Sequence, residues 1–163
     1  MRLRKEENMY YLKKKKKKES DKTTKKKRTP SLATYIRKLD VVFSKYIRLR
    51  DAMPSGTFKC ISCGKIKSIS QADCGHYWSR ARMSTRFDER NCHAECKGCN
   101  RFSADHLVGY RTHLINKIGQ LEYDRLQIKA NETKKWSVWE LEQLVKYYTL
   151  LVERIKAEKG IDI

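Results

Sequence analysis

The sequence predicts an α+β chain: a small cysteine-braced core flanked by helices and preceded by a basic N-terminal arm. Three observations carry that reading. Apolar residues recur at helical spacing on both sides of a central stretch. The stretch itself, from Thr57 to Asn100, is cysteine-rich, with short β-like pieces and no long helical period. The first 30 residues hold 14 Lys and Arg against four acidic residues and almost nothing apolar to bury. The expected organisation is an arm over 1–30, an amphipathic helix over 31–53, the core over 54–130 and a C-terminal helix over 131–163.

The arm is one centre of charge in a chain of 163 residues whose net charge is +19. A surplus of that size calls for a polyanionic partner, because neutralising phosphates releases condensed counterions. Lys13, Lys14, Lys15, Lys16, Lys17 and Lys18, with Lys25, Lys26, Lys27 and Arg28, are the expected nucleic-acid contacts of a disordered or helical arm. Arg80 and Arg82 are the expected contacts within the core. No apolar run approaches the roughly 18 residues a membrane span needs, and no signal peptide is discernible. The expected location is therefore the cytoplasm, with no membrane partner and with thiols kept reduced.

Ser31 is placed to cap the first helix, whose core face is Ile36, Leu39, Phe43 and Ile47. Pro54, Ser55 and Gly56 end it. Residues 57–78 are expected to hold two short strands joined through the first cysteine pair. Leu107, Tyr110, Leu114 and Ile118 mark a short helix, and Leu121 to Ile128 another. The last helix has the clearest start: Ser137 with Glu140 makes a capping box, and Trp136 with Leu141 a hydrophobic staple. Leu141, Leu144, Val145, Tyr148, Leu151, Val152 and Ile155 line its core face. Its opposite face is expected to serve a homodimer.

Cys60-Ile-Ser-Cys63 and Cys96-Lys-Gly-Cys99 are two CxxC turns separated by 32 residues. Such turns supply four soft ligands in a tetrahedron with little backbone strain, so a four-cysteine Zn2+ site is expected. With every position taken by thiolate the ion cannot activate water. Its role is structural, and its binding energy supplements a small core. Cys74 and Cys92 are read as small buried apolar residues.

The segment between the turns contains Asp73-Cys74-Gly75-His76-Tyr77 and then Arg90-Asn91-Cys92-His93, and Asn100 directly follows the last cysteine. That order resembles the HNH, or ββα-metal, nuclease motif. The resemblance makes His76 the general base, a task suited to an imidazole titrating near neutral pH. It makes Asn91 the middle residue that orients the base or its loop, and Asn100 a ligand of a hard divalent ion. Gly75 stands where many such enzymes carry a metal-binding Asp or His. Asp73 is the substitute ligand, and His93 a second candidate ligand or phosphate contact.

From about Tyr46 to Leu126 the chain resembles the NinG, or Rap, recombination-endonuclease family of lambdoid phages. The resemblance is carried by Tyr46-Ile-Arg-Leu-Arg-Asp51, Cys60-Ile-Ser-Cys-Gly64, Gly75-His-Tyr77, Arg86-Phe-Asp-Glu-Arg-Asn91, His93, Cys96 and Cys99-Asn100. Leu107-Val108, Tyr110-Arg111 and Ile118-Gly119-Gln120 continue it. It implies a structure-specific DNA endonuclease that uses Mg2+ or Mn2+ to cut branched intermediates such as Holliday junctions and D-loops. It also implies phage or host recombination proteins as partners and a bacterial host's cytoplasm as the setting. In the family a His stands two positions beyond the Asn of the second turn. Here that place is Phe102, with His106 as the compensating candidate.

Two other readings compete: a catalytically inactive, zinc-stabilised DNA-binding recombination adaptor, and an RNA-binding protein of ribosomal type. The nuclease reading requires His76, Asn100 and either Asp73 or His93 to converge on one pocket outside the cysteine cluster.

Overall fold

The Ser31 hydroxyl accepts from Thr34 N at 3.3 Å and opens helix α1, Leu32–Asp51. The computed structural model describes residues 30–163, so the basic clusters Lys13–Lys18 and Lys25–Arg28 lie outside the described residues. Helix α1 buries Leu39, Phe43, Tyr46, Ile47 and Leu49. Their main partner is the last helix, α5, Val138–Lys159, which is preceded by the expected capping box of Ser137 and Glu140. At the heart of this pairing Phe43 meets Tyr148 edge-on, with ring centroids 4.9 Å apart. Glu89 accepts from the hydroxyls of Tyr46 at 2.7 Å and Tyr148 at 3.2 Å, satisfying the polar ends of two buried rings. From α5, Lys159 Nζ donates to the carbonyls of Leu49, Arg50 and Ala52 where α1 ends.

Strands β1, Thr57–Lys59, and β2, Ile66–Ser68, form an antiparallel hairpin whose connection is the first cysteine turn. A 3-10 turn over Ile69–Gln71 leads into β3, Ala72–His76. Strand β3 pairs antiparallel with β4, Cys92–Cys96, in a register that sets His76 opposite Cys92 and Gly75 opposite His93. Helix α2, Lys97–Phe102, begins on the next residue, so the second cysteine turn is also its start.

Helices α3, His106–Ile118, and α4, Gln120–Ala130, follow, joined at Gly119 with φ +83°. They bury Tyr110, Leu114, Tyr123 and Leu126 in a second cluster with Ile61 of the first turn. Helix α3 comes so close to that turn that a Cβ on Gly109 would lie 2.2 Å from the Ser62 carbonyl oxygen. No helix among the described residues is long and apolar enough to cross a membrane.

Candidate active site beside a four-cysteine cluster

The sulfurs of Cys60, Cys63, Cys96 and Cys99 all lie within 4.8 Å of one another. Gly64, with φ +70°, lets the chain reverse after Cys63, and its N–H donates to Cys60 O at 2.9 Å. The second pair is docked onto the first: Cys96 N donates to Cys60 Sγ at 3.3 Å, and Ile61 N to Ala94 O at 3.1 Å. An amide aimed at sulfur favours thiolate, and four thiols converge at ligand spacing, so the cluster could hold a zinc ion. It joins β1, β4 and α2.

Beside it, and outside the cysteine tetrad, α1, β3 and α2 enclose a cleft of about 480 Å³. Asp73, His76 and Asn100 line it together, with Arg80 and Arg101 adding positive charge and Asp40 negative charge. His76 ends β3. Its Nδ1 is 3.2 Å from Cys74 O and its Nε2 3.1 Å from Arg86 O. A neutral imidazole has one N–H, so it can donate to only one of these carbonyls, leaving the other nitrogen's lone pair unprotonated. Burial pushes the His76 pKa below its ordinary value, outweighing the Arg86 carbonyl, which favours the cation.

Asp73 accepts from Arg101 Nε at 2.7 Å, Arg101 Nη2 at 2.8 Å and Asn100 Nδ2 at 3.1 Å. Burial alone would raise the Asp73 pKa, but the Arg101 and Asn100 hydrogen bonds hold it below the usual carboxylate value. Across the cleft, Arg86 pairs with Asp40 of α1 at 2.9 Å through Nε and donates through Nη1 to Arg80 O at 2.9 Å. Asp40 escaped the sequence reading because only the hairpin's docking on α1 brings it to the cleft. Gly75 is bare for a steric reason: a Cβ there would lie 2.2 Å from Glu95 Oε2 across the ladder. No ligand side chain can occupy that position while Glu95 is in place.

Other expected site residues lie elsewhere. Asn91 is fully buried and braces the connection between β3 and β4. Its Oδ1 accepts from Trp78 N at 2.7 Å, and its Nδ2 donates to Trp78 O at 2.9 Å and Thr85 O at 3.0 Å. With its polar atoms spent in this way it positions the loop and touches nothing in the cleft. His93, one residue out of phase with His76's partner Cys92, points to the other face of the hairpin and is only 3% exposed. Its Nδ1 accepts from Arg50 Nη2 at 2.8 Å and Lys117 Nζ at 3.1 Å. Burial, then the two neighbouring cations, lower its pKa against Asp51. It can neither share an ion with Asp73 and Asn100 nor meet phosphate, which corrects the expectation for it.

Arg82 is similarly engaged, donating to Ala130 O at 2.7 Å and lying over the Trp78 ring. His106 pairs with buried Glu95 at 2.7 Å and does not line the cleft, and Phe102 is exposed. Cys92 is buried in the core, as expected, and Cys74 packs partly buried against it. Their sulfurs and a ring nitrogen of His76 lie within 4.8 Å of one another. Cys74 and His76, two apart on one strand, share a face that the sequence displays, but only the strand register adds Cys92.

A family model described as Bacteriophage Lambda NinG protein matches residues 1–158. Protein ninG of Escherichia phage 933W is 39% identical over 107 residues, covering 65% of this chain and 50% of that protein. Protein ninG of Escherichia phage lambda is 35% identical over 115 residues, covering 70% of this chain and 53% of that one. Protein ninG of Salmonella phage P22 is 34% identical over 115 residues, covering 70% and 54%. The chain thus spans about half the length of the curated relatives it matches. No solved structure matches it.

Proposed function

The chain belongs to the NinG family of phage lambda, and from that premise and the His76 cleft we propose that it is a metal-dependent, structure-specific endonuclease of branched DNA. The observation that carries the reading is the meeting of His76, Asp73 and Asn100 in one cleft beside, but outside, the four-cysteine cluster.

Each residue has a chemical task in phosphodiester hydrolysis. Neutral His76 takes a proton from the attacking water through the ring nitrogen that does not donate to a carbonyl. Its lowered pKa keeps that nitrogen unprotonated at neutral pH. The remaining N–H, bonded to a main-chain carbonyl, fixes the ring plane. The Asp73 carboxylate and Asn100 carbonyl oxygen are the hard donors suited to Mg2+ or Mn2+. When bound, such an ion supplies positive charge for the phosphorane and the leaving 3′-oxygen. Arg101 is about half exposed and holds Asp73 in its place; released, its fork matches a phosphate. Arg80, at the rim, is a further phosphate contact. The basic arm adds sequence-independent affinity, and partner recombination proteins belong to the same proposal. On α5 the exposed Trp139, Tyr147 and Leu150 form the surface proposed for pairing two copies, which a symmetric junction requires.

One observation favours a second reading, the catalytically inactive DNA-binding recombination adaptor. Asp73 is already neutralised by Arg101, and both His76 nitrogens sit against carbonyls. Four-way junction, fork and linear duplex, each with Mg2+ or Mn2+, separate the two readings. The endonuclease nicks the branched substrates in preference to the duplex. Binding to all three with no nick in any would establish the adaptor.

A further inference from the structure

We infer that Cys74, His76 and Cys92 form a second site for a soft divalent cation of the zinc class, distinct from the four-cysteine cluster. The two sulfurs and a ring nitrogen fall within 4.8 Å of one another. In a tetrahedral zinc site with bonds of about 2.0–2.3 Å, ligand atoms stand roughly 3.3–3.8 Å apart. A small contraction therefore brings all three onto one ion. The donors are the right ones: two thiolates cancel the ion's charge, so the complex is neutral and tolerates a partly buried position. The cation costs little there for the same reason that an isolated charge would cost much.

The surroundings show what such an ion would relieve. Arg86 O is approached by His76 Nε2 at 3.1 Å and by Cys92 Sγ at 3.7 Å, while His76 Nδ1 faces Cys74 O. One neutral imidazole cannot donate to both carbonyls, so one ring nitrogen points its lone pair at oxygen. A cation on that nitrogen removes the repulsion. The positions are also rigid. Cys74 and His76 share a strand face, and Cys92 sits directly opposite His76 in the ladder. Both Cys74 and His76 line the cleft, so a fourth ligand, water or a phosphate oxygen, enters from that side. Binding releases the two thiol protons to solvent and involves no change of oxidation state.

The metal site stands apart from the nuclease reading, but one consequence rests on it. An ion held by His76 occupies the nitrogen that would serve as the base, so soft-metal loading and water activation exclude each other.

The test is metal content of the full chain, equilibrated anaerobically with micromolar zinc under a phosphine reductant and freed of loose ion by gel filtration. Wild type should retain two zinc ions per chain. Cys74→Ser and His76→Ala should each retain one, held by the four-cysteine cluster, and that remaining ion reports that each variant has folded. Because Cys74 is only partly buried and His76 ends its strand, the two variants are read separately, and either one that folds decides. One zinc per wild-type chain overturns the proposal, as does two zincs retained by a folded variant. Absence of nicking under Mg2+ leaves the zinc count untouched and counts against the endonuclease alone.

Discussion

Gly75 and Asn91 show how single residues shape the cleft without touching its chemistry. Gly75→Ala forces a methyl group into Glu95, and overpacking of this kind costs about 1–3 kcal/mol. Urea denaturation should move to a lower midpoint with the slope unchanged; a midpoint equal to wild type would show that Glu95 yields freely. Asn91→Ala leaves Trp78 N and Trp78 O without their partner, while Thr85 O keeps the Asp88 amide at 3.1 Å. At about 1–3 kcal/mol for each group left unpaired, the two together give an expected loss of roughly 2–6 kcal/mol. It should appear as a lower Tm together with new proteolysis within residues 77–91. The residue types at the site were legible in the sequence, since His76, Asp73 and Asn100 do share a cleft. What could not be read was direction. A one-residue difference in strand phase sends His93 away from His76, and only the register fixes that phase.

At the scale of elements, the connection from β3 to β4 has no helix or strand and is held by ion pairs. Asp88 accepts from Arg90 Nη2 at 2.8 Å and from Lys129 Nζ of α4 at 2.7 Å, while Arg90 reaches Glu122 at 2.7 Å. Burial alone would raise the Asp88 pKa, but Arg90 and Lys129 bring it down to about 2. Because the folded pKa lies below the unfolded value near 3.9, the stabilisation is complete above that value. It is lost as pH falls through about 2. The contribution is roughly 2 kcal/mol, and an Asp88→Asn chain should show a correspondingly shallower fall in stability between pH 4 and 2. Parallel curves would deny the tie. The helices were readable because caps and apolar period agree, as at Ser31 and Ser137. Strands of three to five residues carry no such period, and β3 and β4 pair across a long loop that nothing local announces. Tyr46–Asp51 acquires its meaning here too: Arg50 donates to Cys92 O at 2.8 Å, and Asp51 accepts from Ala94 N at 2.8 Å. Together they fasten β4 to α1.

At the scale of the described residues, Cys60 and Cys96 share the core of the α1–α5 pair, and Ile61 of the first cysteine turn joins the core of the α3–α4 pair. Removing zinc with a strong chelator should therefore abolish near-ultraviolet circular dichroism from the core, because structural zinc contributes folding energy outright. A spectrum unchanged by complete metal removal would rule out a structural ion. The cleft depends on the same scaffold, since Asn100 and Arg101 sit on α2, whose N-cap is Cys96. The most direct measurement for the endonuclease is single-turnover nicking of a four-way junction with Mg2+, by wild type and by His76→Ala, across pH 5 to 8. Wild type should lose rate only on the acid side, below the ordinary histidine value near 6.5, and be level by pH 7. His76→Ala should bind the junction equally and nick it at least about 100-fold more slowly. Equal nicking by the two proteins would contradict the assignment of His76 as the base.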